Sequence, residues 1–345
     1  MMSMTTWSVP EIASALLSLP ITSLVLGVFV ALVIEAWSSR PSRTADADRT
    51  DLRASHRLEI RGRHRDEVVL LGVVPLLIIA VTVTDVLVRS YVLDMSASIA
   101  PLRVATPLLA ACLGIALVAA VIVLRGRVSA VPGPPTARRT WSSFSRRRDL
   151  IVAGALAVAL VATTVLAGLV SSTDADGRHT VLEIPVPNLP GVDPLRMHFY
   201  GWAYGLPTLL VVAALAAAVG ALLHVNSGRP FIRPETTSAE RTIRRHVASD
   251  AVQIAAAATA LALAAAWRLV ADANEVTGIV ITGVNEGNPY DATWRYAELA
   301  TIAGWGAPVL EIAAFALLVL VAIRTARRLP AAAPSAAPEL LRVLR

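Results

Sequence analysis

The chain has no lysine; all 31 of its basic residues are arginine. That absence rules out a retinal Schiff base and a phosphate-binding Gly-x-x-x-x-Gly-Lys loop. There is one cysteine, Cys112, which excludes an intramolecular disulfide and any cysteine-based metal cluster. It lies inside an apolar run, where a small hydrophobe fits. Hydrophilic stretches reach only about thirty residues, too short for a soluble domain of ordinary size. No Gly-x-Ser-x-Gly elbow and no paired intramembrane aspartates occur, so the enzyme reading is weak. The six histidines lack ligand spacing. His198 and His224 bracket one apolar run and would stand roughly 39 Å apart along a helix, too far for one haem or one metal. His56 and His64 show no His-Glu-x-x-His pattern, and His179 and His246 are isolated. No cofactor or metal is expected.

What the chain has is apolar length. A bilayer core of about 30 Å requires about 20 apolar residues in helical form, and seven runs qualify: 12–34, 68–88, 104–124, 150–170, 199–223, 251–270 and 299–323. The expected fold is therefore an all-α integral membrane protein with seven transmembrane helices. A polytopic domain would cover residues 1–329 and a flexible, low-complexity cytoplasmic tail residues 330–345. The first run is too long for a cleavable signal peptide and lacks a basic leader and a small-residue cleavage site.

Twenty-five of the 31 basic residues fall in four alternate connecting segments: 36–67, 125–149, the loop after the fifth run, and the tail. Acidic residues divide evenly between the two sides. By the positive-inside rule the N-terminus lies outside and the C-terminus inside. The same dispersal makes the isoelectric point of 10.3 a matter of topogenesis and contact with anionic inner-leaflet lipids rather than of nucleic acid. Absent lysine with abundant alanine reads as the codon bias of a GC-rich, bacterial genome, and the cell membrane is the expected location. Trp7, Trp202, Trp267, Trp294 and Trp305 fall near the outer boundary and Trp37 near the inner one, as in an aromatic belt.

Three stretches share a plan of arginine-rich approach, Asp, outward span, outer loop, and inward span with an early Pro. The Asp residues are Asp66, Asp149 and Asp250; the Pro residues are Pro107, Pro207 and Pro308. The last two units are offset by the same interval at both marks, and Tyr204-Gly205-Leu206-Pro207 aligns with Trp305-Gly306-Ala307-Pro308. One helix plus three parallel hairpin units would result, with Pro107, Pro207, Pro308, Gly205 and Gly306 as repeat or gating positions. Independent placement gives the same marks, because acidic residues and Pro both suit helix starts. In the outer loops 180–186 and 278–284 are β-rich, so two strands could pair across the loops into a cap. Residues 44–65 read as a solvated helix or coil.

Three charges fall within the apolar runs: Asp85, Arg268 and Glu311. Glu311 lies near the middle of its run, where a carboxylate is expensive and marks either a functional site or interhelical glue. Arg268 and Asp85 lie near the outer ends at comparable depth and could pair, although snorkelling and solvation are the simpler expectation. Arg268 with Glu311 is the weaker pairing, since Glu311 should sit about 14 Å deeper at 1.5 Å per residue. The expected function is a transporter or the permease subunit of a transport complex, with Glu311 lining a path. Alternatives are a membrane anchor, sensor or regulator with a protein partner on the cytoplasmic face, and a lipid-acting membrane enzyme.

Overall fold

An apolar run of twenty residues must satisfy its own peptide groups once water is gone, and a helix does so within the segment. The computed structural model describes residues 19–38, 54–88, 100–126, 144–186, 193–229, 231, 236–273, 278–280, 290–291 and 295–329. Among these are seven helices: α1 (Pro20–Ser38), α2 (Ala54–Leu87), α3 (Thr106–Gly126), α4 (Arg147–Val170), α5 (Trp202–Gly228), α6 (Thr237–Asp272) and α7 (Ala297–Arg328). All seven are long and apolar enough to cross a membrane, so the fold is that of an all-α membrane protein. Its peripheral helices expose Val25, Phe29, Val158, Leu166 and Leu169 to their surroundings, a surface suited to lipid and not to water. The expected tail at 330–345, residues 12–18 of the first run, and Trp7 and Trp294 lie outside the described residues.

Helix α6 is the hub, packed against α2, α3, α4, α5 and α7, while α1 lies on α7. The reason is in its sequence. From Ala255 to Ala266 it is nearly all alanine, and small side chains let neighbouring backbones approach closely. Nearly every residue from Val247 to Ala264 is buried. Paired positions give the helix directions. Asp66 pairs with Arg125, and Asp85 with Arg103, so α2 and α3 are antiparallel. Glu35 near the end of α1 meets Arg327 near the end of α7, so those two run parallel. Helices α4 and α6 are also parallel, because Asp149 accepts hydrogen bonds from Ser249 (2.6 Å) and Gln253 (3.2 Å), and Trp267 Nε1 donates to Thr163 Oγ1 at 3.1 Å. The bundle therefore has an arginine-rich end and an opposite, sheet-bearing end.

Several helices are longer than the apolar runs that seed them. Helix α2 starts at Ala54 and α6 at Thr237. The stretch up to Arg65, read from sequence as solvated helix or coil, is in its second half the first turns of α2, with His64 2% exposed. At 36 residues, α6 would extend about 54 Å at 1.5 Å per residue, well beyond a bilayer core.

At the opposite end, β1 (Ser172–Thr173), β2 (His179–Ile184) and β3 (Leu195–His198) form one antiparallel sheet, and β4 (Gly278–Ile279) with β5 (Tyr290–Asp291) another. Of the two β-rich stretches, 180–186 contributes β2 and 278–284 contributes β4, with 281–284 outside the described residues. Among the described residues the two strands do not pair with each other. Each loop folds back on itself, as local hairpins close more readily than long-range pairs. The β1–β2 turn is held by Asp174, whose Oδ1 accepts from the backbone N–H groups of Asp176 and Arg178 and whose Oδ2 accepts from Thr180 Oγ1 at 2.9 Å. Gly177 supplies the φ of +76° that the turn requires. The sheet is tied to the bundle by Tyr200, whose hydroxyl lies 3.0 Å from Thr164 Oγ1.

Candidate functional site

The register between α6 and α7 sets the site. A Cβ on Gly304 would lie 3.4 Å from Ala271 Cβ, and one on Gly306 would overlap the Trp267 ring at 2.4 Å. Arg268 is thus level with the stretch around Gly306, and Glu311 is only about four residues deeper, on the order of 6 Å. The Cα–Cβ bonds of a helix tilt towards its N-terminus. In this antiparallel pair the tilt aims Arg268 towards the arginine-rich end and Glu311 towards the sheet-bearing end, so the two point at each other. The two meet: Arg268 Nε donates to Glu311 Oε1 at 2.6 Å and Nη2 to Oε2 at 2.7 Å. This overturns the expected depth mismatch, which assumed that the two spans begin level. It also overturns the Arg268–Asp85 pairing, because Asp85 lies 3.8 Å from Arg103 Nε.

All three intramembrane charges nevertheless line one cavity of about 420 Å³ at the sheet-bearing end, together with Arg103, Pro107 and Asp272. Glu311 is buried, and its side chain is 8% exposed against 22% for Arg268. Phe315, one turn deeper and 2% exposed, also lines the cavity. The α1–α7 crossing packs behind it, where a Cβ on Gly27 would overlap Phe315 Cβ at 2.7 Å. The bidentate fork neutralises two charges that hydrocarbon would not tolerate singly. A group entering from the sheet-bearing end that competes for either partner would break it.

The repeat positions separate by location. Pro107 is in the first turn of α3, where a missing N–H costs nothing. Pro207 and Pro308 are interior to α5 and α7, so they interrupt the backbone ladder rather than start it. Gly205 and Gly306 both sit where a helix running from the sheet-bearing end crosses its neighbour. A Cβ on Gly205 would overlap the Thr164 methyl at 2.7 Å, and one on Gly306 the Trp267 ring. Trp267 and Trp202, both half-buried, pack closely on neighbouring helices, the latter against Gly168. Trp305 and Trp37 are exposed and suit an aromatic belt.

A second constellation, at the arginine-rich end, escaped the sequence reading. Glu67 accepts a two-pronged bond from Arg229, Nη2 to Oε1 at 2.6 Å and Nη1 to Oε2 at 3.0 Å. His64 Nδ1 lies 3.1 Å from Glu67 Oε2. Arg244 donates to the Arg229 carbonyl (2.7 Å) and to Glu240 Oε2 (3.2 Å), while Thr236 Oγ1 donates to Glu240 Oε1 (3.0 Å). The Arg244 guanidinium also lies over the Phe231 ring, 4.4 Å from its centroid, a cation–π contact. Glu67, Glu240 and Arg244 are at most 1% exposed. Arg229 and Arg244 read as topogenic charge, yet they bind the ends of α2, α5 and α6 together. The available signal was helical spacing, i to i+3 for His64 and Glu67, and i to i+4 for Glu240 and Arg244.

Among the described residues no group of three His, Cys, Asp or Glu is placed to hold a metal ion. Comparison with protein-family models, with curated proteins and with solved structures gives no match.

Proposed function

We propose that the chain is a multi-pass transporter of a bacterial cell membrane, or the permease subunit of a transport complex. In this reading its N-terminus is outside and its C-terminus inside, following the arginine bias. The sheet-bearing end is then the outer face, and the cavity beneath it is a vestibule closed by the Arg268–Glu311 pair. The carrying observation is that pair. A two-pronged ion pair inside a membrane, reached by a cavity that also holds Asp85, Arg103 and Asp272, is an expensive arrangement for glue alone, and charged groups at this depth usually mark paths. Substrate displacing one partner from the other opens the floor.

A duplication would suit this architecture. Positions offset by about a hundred lie beside one another in parallel on α4 and α6. Asp66 and Asp250 each bind an arginine at the far end of the next helix, Arg125 and Arg328. Each long outer loop folds into its own hairpin. One helix plus three parallel units fits these facts, and parallel units moving against one another are a known route to alternating access.

The test is mild-detergent purification from the native membrane with mass spectrometry of what accompanies the chain. A stoichiometric ATPase makes it a permease subunit, and a chain that purifies alone is a self-contained transporter. A stoichiometric regulator or enzyme instead contradicts the transport reading and favours a membrane anchor.

A further inference from the structure

At the arginine-rich end, between α2, α6 and α7, lies a second cavity of about 300 Å³, whose charged and imidazole lining is His64, Arg65, His246, Asp250, Arg327 and Arg328, with Thr242 beside them. Two of these guanidiniums are engaged, Arg328 with Asp250 and Arg327 with Glu35, and Arg65 is exposed. Three guanidiniums therefore face one carboxylate within the lining, with a second carboxylate behind Arg327. The balance is positive.

His64 supplies the independent sign of a ligand. It is 2% exposed, and its Nδ1–H donates to the Glu67 carboxylate, which can only accept. Its other ring nitrogen, Nε2, is buried and has no hydrogen-bond partner among the described residues. Buried polar atoms in folded proteins are almost always satisfied, and an exception calls for an explanation. A ring that carries a proton on both nitrogens can donate to Glu67 on one side and to an anion on the other.

We propose that this cavity binds a phosphate group, with His64 Nε2 and Arg65 as its donors and Arg328 contributing charge. A phosphate brings three strong acceptor oxygens and up to two negative charges. That matches an imidazole and guanidiniums converging from separate helices. Its place at the arginine-rich end allows two sources, a lipid headgroup or phosphate free in solution. The site is at the opposite end from Arg268 and stands whether or not the chain transports. Occupancy would act directly on the His64–Glu67–Arg229 cluster that joins α2 to the end of α5.

The test uses the full-length chain. His64→Asn keeps an amide donor near the Nδ1 position for Glu67 while deleting Nε2, and Arg65→Gln changes an exposed side chain. Inorganic phosphate is titrated calorimetrically into the detergent-solubilised protein. In parallel, protein released from nanodiscs of phosphatidylcholine, with or without phosphatidylglycerol, is weighed by native mass spectrometry. Saturable phosphate binding, weakened about tenfold or more by each variant, supports the site with a soluble ligand. One retained phosphatidylglycerol, lost in each variant, supports it with a headgroup. No binding of either probe, or binding that both variants leave unchanged, overturns it. Should His64→Asn fail to fold, Arg65→Gln alone decides.

Discussion

Replacing Glu311 by Gln removes the carboxylate that accepts both hydrogen bonds of the Arg268 fork between α6 and α7. Removing one partner of a buried ion pair costs about 3–5 kcal/mol, because the survivor remains desolvated and uncompensated. Arg268 is 22% exposed and borders a cavity, so the low end, about 3 kcal/mol, applies. At roughly 2–4 °C per kcal/mol for a chain of some 200 residues, less for a longer one, the midpoint should fall by about 5–10 °C. Arg268→Met should cost a similar amount. The double variant Arg268→Met with Glu311→Met should return to within about 1 kcal/mol of the parent, since apolar residues of like volume replace buried pairs at little cost. Thermal unfolding in detergent, followed by loss of the monodisperse chromatographic peak, measures all four species. A midpoint change below about 1 °C for both single variants would show that the fork does not form. A double variant that regains both stability and one-sided closure of the membrane would show that the pair is glue, and would refute its role as a gate.

Gly306→Ala should destabilise by about 1–3 kcal/mol through overlap with the Trp267 ring, and Trp267→Leu in the same chain should recover most of the loss in the same thermal assay. Glu67→Gln should cost about 3 kcal/mol or more by leaving Arg229 buried without its carboxylate, seen as a lowered midpoint and a lower yield of folded protein. For Asp174, partial desolvation opposes the charge. Bonds from the Arg178 backbone, Thr180 and the Arg178 side chain, with the charge of Arg178, outweigh it and hold the carboxyl below its usual 3.8. A carboxyl depressed by folding stabilises the hairpin above the unfolded value and loses that contribution as pH falls through the folded one. The amide shift of Gly177 should therefore move towards its unfolded position only below about pH 3.8, and Asp174→Asn should remove the transition.

The seven helices were legible because hydropathy over twenty residues is a coarse signal that no tertiary detail reverses. Of the hairpin marks, Asp66 and Asp250 each pair with an arginine on the following helix, whereas Asp149 bonds Ser249 and Gln253 on α6. What sequence could not provide was helix register. Arg268 and Glu311 looked mismatched in depth because apolar runs mark where hydrocarbon begins, whereas α6 and α7 are offset along their axes by contacts such as Trp267 on Gly306. The same blindness hid the buried cluster of Glu67, Arg229, Glu240 and Arg244. In an arginine-rich loop every guanidinium resembles a topology signal, and only the fold distinguishes Arg244, 1% exposed, from Arg241, its exposed neighbour. Strand β2 was recognised by its alternation, but its partners depend on which chain segments the helices bring together.

The most direct measurement of the gate replaces Cys112, the only native thiol, by Ala and places a single cysteine at Ala265, which lines the cavity beside Arg268. A membrane-impermeant thiol reagent is then applied to intact cells and to inverted vesicles. The parent should label from the sheet-bearing outer side alone, and adding Glu311→Gln should open labelling from the arginine-rich side as well. Labelling from both sides in the parent, or no gain of inner-side labelling in the Glu311→Gln chain, would contradict the account.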